Sequence, residues 1–591
     1  MMRHHEREGR AERRWLAMAG AAVLALAGCG GGAEDSTATA EEGQQRASAL
    51  ASDVRAEGTQ AFVTSQMDAV RLAHQATFGP SESLVNEIRT KGPKAWIVSQ
   101  LGLSLSRYKL GGDNSPDKNT STTEFCQLPD QVKNPNCWRD YFSSEPLLWD
   151  FYRNAVRNND QLRQRVSLAL SQLLVISNVD VDGTYGLRLF YNNMITGAFG
   201  NYRDLLRQVA VSPMMGEYLN HVNNDQAAPN ENFARELLQL FTIGPCKLNM
   251  DGTLVGGRCA ATYDNDRVRS YAYALTGWTY PPGGADRWGC HPDGANCKYL
   301  YGDMVPAAGT LRDTKQRSLL SNVLVPAGTP APKALEKVLD SLMSHPNIAP
   351  YVGKHMIQQL VTSNPSPEYV TRVAKAFNTG KYDDIGTGKK GDMAAVTAAV
   401  LLDKEARNEK PGAQFGRLRE PIQLFTGAIR AIGGDTDGNA LGFWQGENLS
   451  QHTFRSPTVF NYYSQDFPLS GSKLIAPPFG IHNASTALNR LSYLTMLFDW
   501  GGADPQKDVP GAVGTKLNYD AWLTDAADAT KLVDRMSRLV LGENLPEPAR
   551  TKVIEAVAHF DNDNYPGEWR RQRVQRAGWL VLSSPQYQIV R

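Results

Sequence analysis

Asp160-Gln161-Leu162-Arg163-Gln164-Arg165-Val166-Ser167-Leu168-Ala169-Leu170-Ser171-Gln172-Leu173-Leu174-Val175-Ile176 is the stretch that decides the fold class. Leu162, Val166, Ala169, Leu170 and Leu173 recur at three- and four-residue intervals, which 3.6 residues per turn gathers onto one stripe, while Arg163 and Arg165 fall off it. The spacing predicts a core helix. Upstream, Ser65 with Asp68 resembles a capping box opening a helix that stops at Gly79-Pro80. A second start at Ser81 ends at Gly92-Pro93, and a third helix carries Trp96 to about Leu101.

Downstream, helical periodicity covers 202–210, 232–242, 268–276, 333–344, 350–363, 367–378, 392–402, 419–432, 485–497, 528–541, 547–560 and 569–584. Alternating apolar runs are scarce, the best lying around Leu248 to Leu254 with a turn at Asp251-Gly252. The expected architecture is mainly α: a large multi-helical single body over 61–591 with little β structure. Long irregular insertions are expected at 281–332 and 433–475.

Composition narrows the functional classes. Of 591 residues, 41% are hydrophobic and 21% charged, enough for a sizeable core. Lys and Arg (62) nearly cancel Asp and Glu (61), and no dense basic stripe stands out, so no nucleic-acid partner is expected.

The N-terminus reads as an address. Five arginines between Arg3 and Arg14 precede an uncharged run from Trp15 to Ala27. As a helix that run would span only about 20 Å, short of the roughly 30 Å hydrocarbon core, so it fits a signal peptide over residues 1–28. It ends in Leu26-Ala27-Gly28-Cys29, a match to the bacterial lipobox, which would make Cys29 the acylated first mature residue. Ordinary secretory cleavage is the competing reading. Gly30, in place of an Asp, favours the outer membrane of the cell envelope. Residues 29–60 are rich in Gly, Ala, Ser, Thr and Glu and read as a flexible tether.

Six further cysteines follow: Cys126 and Cys137, Cys246 and Cys259, Cys290 and Cys297. In an exported chain an even count suggests disulfides, and pairing between sequence neighbours is the simplest of fifteen connectivities. Zinc binding competes, without a C-x-x-C pair to support it.

The densest polar segment is Pro229-Asn230-Glu231-Asn232-Phe233-Ala234-Arg235-Glu236-Leu237-Leu238-Gln239. Asn230 is a plausible N-cap and Gly244 a stop; Phe233, Leu237, Leu240 and Phe241 take one side, and Asn232, Arg235, Glu236 and Gln239 another. One reading is a packed helix with an ordinary Glu231–Arg235 pair. The other is a cleft wall where Glu231 or Glu236 is general base or cation ligand and Arg235 orients an anion. Glu231, Glu236 and Arg235 are thus the catalytic candidates, and Asn230, Asn232, Gln239 and Trp278 the binding candidates. No cofactor signature is present; a divalent cation is the cofactor this face would accept.

Aromatic residues crowd two irregular regions, Trp278, Tyr280, Trp288, Tyr299 and Tyr301 in one and Phe443, Trp444, Phe460, Tyr462 and Tyr463 in the other. Exposed aromatic faces suit sugar rings, whereas most aromatics are simply packed. No G-x-S-x-G, H-E-x-x-H, P-loop or dinucleotide fingerprint occurs.

The order of Arg71-Leu72-Ala73-His74-Gln75-Ala76-Thr77-Phe78-Gly79-Pro80, Leu162-Arg163-Gln164-Arg165, Asn230 to Leu237 and Leu275-Thr276-Gly277-Trp278 resembles the bacterial domain of unknown function 1800 (DUF1800) family. Arg419-Glu420-Pro421, Ser456-Pro457-Thr458-Val459-Phe460-Asn461-Tyr462-Tyr463 and Ser583-Ser584-Pro585-Gln586-Tyr587 extend the resemblance over roughly 65–591. It implies a helical fold with no established activity. It also implies a candidate partner, an exported sulfatase- or phosphatase-like protein often encoded beside such chains. Arg312 stands where many members have a histidine, and Pro478 where a glutamate is common. The expected function is a lipid-anchored envelope protein that binds or scaffolds a partner protein or an envelope glycan. The alternative is a hydrolase of an extracytoplasmic polymer or ester working through the Glu/Arg/Asn face.

Overall fold

Ser65 accepts a hydrogen bond from the Asp68 backbone N–H (3.0 Å) and opens helix α1, Gln66–Ala76; Asp68 itself turns to Arg407 (2.9 Å). The computed structural model describes residues 62–112, 125–281, 300, 302–307 and 310–591. The expected signal peptide, Cys29, the expected tether, and Cys290 and Cys297 lie outside them.

Two long helices escaped the sequence reading, besides short ones such as Cys137–Phe142 and Pro213–Tyr218. Helix α2, Glu145–Arg157, buries Leu147, Leu148, Trp149, Phe151 and Tyr152 and leaves Asp150, Arg153 and Arg157 outside, but no side chain caps its start; Pro146 sits in its first turn, where proline costs no hydrogen bond. Thr184–Gly197 starts after Gly183 and contains Asn192-Asn193, weak helix formers.

Helix α3, Gln161–Ser171, forms at the decisive stretch and is buried on every side, so Arg163 and Arg165 are as enclosed as the leucines. The reason is its central place: α1, α2, Pro93–Leu101, Thr184–Gly197 and Ile348–Leu360 all pack on it. Arg163 lies over the Phe199 ring (4.4 Å), and Arg165 donates to the Gln359 carbonyl. The helices expected from residue 202 onward form within three residues of their expected ends. They include α4, Asn232–Gln239; α5, Asn265–Ala274; and α6, Pro421–Ile432.

The fold is mainly α, and strand structure in the described residues is confined to two-stranded antiparallel ribbons and isolated bridges. One is the bridge Leu248 to Leu254, at the expected turn. One continuous core runs through the helical body, with a small satellite of Phe125, Cys137 and Phe142 beside the disulfide Cys126–Cys137. Cys246–Cys259 is the second disulfide. Both close short loops of sequence separation 11 and 13, as neighbour pairing anticipates. Among the described residues no helix is long and apolar enough to cross a membrane.

The irregular 433–475 insertion is tied down at its start. Gly434–Thr436 pairs with Thr515–Leu517, and Gly438 follows at φ +80°. A Cβ there would meet the Leu148 carbonyl at 3.0 Å and the Trp149 Cα at 3.1 Å, so the chain lies directly on α2.

Candidate functional site

Helix α4 places the sequence-predicted residues at its N-terminal end. It begins one residue later than expected: Glu231 is the N-cap, while Asn230 Oδ1 accepts from the Asn232 backbone N–H (2.9 Å). Glu231 pairs with Arg235 (2.8 Å) and approaches Arg269 (3.6 Å), which reaches Asp266 (3.7 Å), an open chain of charges at the surface. Asn232 is exposed and donates to the Asn220 side chain (2.9 Å). The Gln239 carbonyl accepts from the Tyr351 hydroxyl (3.1 Å). Tyr351 packs on Gly244, where φ is +71° and a Cβ would lie 2.8 Å from the ring.

Glu236 differs from its neighbour. One carboxylate oxygen is buried without a hydrogen-bond partner, and burial raises its pKa against the pull of Arg235. Trp278 is only 4% exposed, its backbone paired with Pro306, so it belongs to the packed core. Asp313 is held bidentately by Arg317 (2.7 and 2.9 Å). Arg312 donates to the Tyr273 and Ala274 carbonyls (3.0 and 2.9 Å) and so closes the C-terminal end of α5. Among the described residues no group of three His, Cys, Asp or Glu side chains is placed to hold a metal ion.

The remaining resemblance motifs converge elsewhere, on a buried centre around Glu420. Its Oε1 accepts from Gln172 (2.9 Å), Gln451 (2.7 Å) and the Tyr463 hydroxyl (2.5 Å), and Arg417 reaches Oε2 (3.3 Å). Burial alone would raise the carboxyl, but Arg417, Arg165 and these donors hold it below its ordinary range. Arg165 is pushed down to about 9 by burial and by Arg417. His74, which burial and Arg419 keep well below its usual pKa, is neutral: Nδ1 accepts from Arg419 (3.1 Å), which leaves Nε2–H to donate to the Val540 carbonyl (2.8 Å). The adjoining cavity, lined by Gln172, Ser456, Asn461 and Tyr462 among others, holds about 20 Å³, room for about one water. No substrate fits there; the centre locks helices together.

A third place has both room and chemistry. A cleft of about 580 Å³ opens between the start of α2, the 439–444 turn and the 502–506 loop, lined by Glu145, Asn439, Ala440, Phe443, Trp444, Gly502, Ala503, Asp504 and Gln506. Phe443 is 47% and Trp444 43% exposed. Phe443 packs edge-on against His452 at 4.6 Å, with Arg455 5.1 Å from its centroid. Glu145 is half-buried in the first turn of α2, and burial raises its carboxyl, with Asp140 adding to the effect and Arg139 opposing it. Asp504 is exposed and pairs with Lys516 (2.9 Å), whose hydrogen bond keeps it below the ordinary carboxylate range. Ala503 and Thr515 exchange backbone hydrogen bonds (2.9 and 2.8 Å), fixing the loop to the ribbon that anchors the insertion.

Sequence reasoning had the aromatic half of this cleft in Phe443 and Trp444 and missed its polar half. Glu145, Asn439, Asp504 and Gln506 come from segments up to some 360 residues apart with no local motif. Trp288, Tyr299 and Tyr301 lie outside the described residues.

Comparison with known proteins returns one result. A family model described as a protein of unknown function (DUF1800) matches residues 71–589. No curated protein and no solved structure matches the chain.

Proposed function

The chain belongs to the DUF1800 family, and from that premise we propose that it is a cell-envelope protein, moored through a lipid on Cys29, that binds an uncharged envelope glycan in the Trp444 cleft. The observation that carries the reading is an exposed indole and phenyl ring set in a cleft of about 580 Å³ whose polar side chains are amides and carboxylates. Sugar rings present apolar C–H faces for stacking and equatorial hydroxyls for hydrogen bonding, and this lining offers partners for both. No Lys or Arg lines it, so a polyanionic polymer would find no cationic partner in the lining. The lipobox and the tether supply the envelope location.

The test is calorimetric titration of the purified full chain with chitohexaose and cellohexaose. At least one should bind, and Trp444→Ala should weaken it about tenfold or more, roughly 1.4 kcal/mol. Binding of neither, or equal affinity in Trp444→Ala, contradicts the reading. Support for hydrolysis through the α4 face rests on Glu236, since Glu231 is held by arginines.

A further inference from the structure

We propose that the Trp444 cleft is also a catalytic site, in which Glu145 and Asp504 hydrolyse the glycosidic bond of the bound glycan. The inference rests on the glycan-binding reading and adds a reaction to it.

Hydrolysis of a glycosidic bond needs two carboxyl groups on opposite sides of the bond with opposite protonation. One must keep its proton to give to the leaving oxygen; the other must be ionised to activate water. Two carboxyl groups, Glu145 and Asp504, line the cleft, and their surroundings differ. Glu145 stands in the first turn of α2, half-buried under the insertion that packs on Leu148 and Trp149, and that burial favours its neutral form. Asp504 comes from the 502–506 loop. Its side chain is 91% exposed, open to bulk water, and Lys516 at 2.9 Å favours its charged form. Trp444 and Phe443 line the same cleft and offer a platform that would hold a sugar ring in place.

The step balances without a cofactor. The Glu145 proton passes to the glycosidic oxygen as the anomeric C–O bond breaks. Asp504 takes a proton from a water molecule, whose oxygen forms the new bond at the anomeric carbon from the other face. Solvent returns a proton to Glu145 and removes one from Asp504, so one water is consumed and one new reducing end appears.

The experiment incubates the purified full chain with chitohexaose and cellohexaose and follows shorter oligomers by mass spectrometry, with calorimetric binding measured on the same preparations. Cleavage of the bound hexamer is expected. Glu145→Gln and Asp504→Asn should each slow it at least 100-fold, the scale of a lost acid or base, while keeping affinity within about threefold. Binding without cleavage overturns the catalytic proposal and leaves the glycan reading standing; absence of binding removes that reading instead. Cleavage that persists in Glu145→Gln and Asp504→Asn but is lost in Glu236→Gln would also overturn the proposal, placing the chemistry on α4.

Discussion

Glu420 carries a buried charge that two buried arginines and three neutral donors share. Removing one member of such a group leaves the others charged in a low dielectric, so Glu420→Gln should lower the unfolding free energy by about 3–5 kcal/mol, measured by denaturant titration. The sign with pH follows from its depressed folded value. The stabilisation is present above the ordinary value of 4.5 and lost as pH falls through the folded one, so the gap between wild type and Glu420→Gln should close below about pH 4.5. A gap constant with pH would mean that the carboxylate charge is not what matters. Arg165 shows why this centre was hard to see in the sequence. A guanidinium off an apolar stripe reads as solvated, and only the five elements around α3 enclose it.

At the scale of elements, the irregular insertion owes its form to a few backbone contacts rather than to periodicity. Gly438, at φ +80° and against Leu148 and Trp149, lets the chain turn onto α2 and present Trp444. Gly438→Ala adds both a strained φ and a close contact, and should cost about 1–3 kcal/mol while weakening glycan binding. A stability loss with full affinity would separate the turn from the cleft. Helices with a stripe and a cap were legible in sequence: Ser65, Ser81 and Asp528 cap the helices that follow them. Helix α2 was not: it has a stripe, with Leu148, Phe151, Tyr152 and Ala155 buried and Asp150, Arg153 and Arg157 left outside, but no side chain caps its start, and Glu145 at its first position went unmarked with it.

At the scale of the molecule, the resemblance motifs and the cleft have different jobs. His74, Arg165, Arg419-Glu420 and Tyr463 meet in the interior, where burial makes them a clamp between distant parts of the chain. The cleft lies outside that clamp and is built from α2, the insertion and the 502–506 loop. The sequence motifs therefore pointed to the interior rather than to an open surface, and the aromatic pair Phe443-Trp444 was the local sign of the cleft. Mooring through Cys29 predicts that Cys29→Ser moves the protein from the membrane pellet to the soluble fraction without altering glycan affinity; retention in the pellet would contradict the anchor. The most direct measurement is a structure determined with bound chitohexaose or cellohexaose. A sugar ring stacked on Trp444, with a glycosidic oxygen within hydrogen-bonding reach of Glu145, is the predicted result; an oligosaccharide seated anywhere else on the molecule would contradict it.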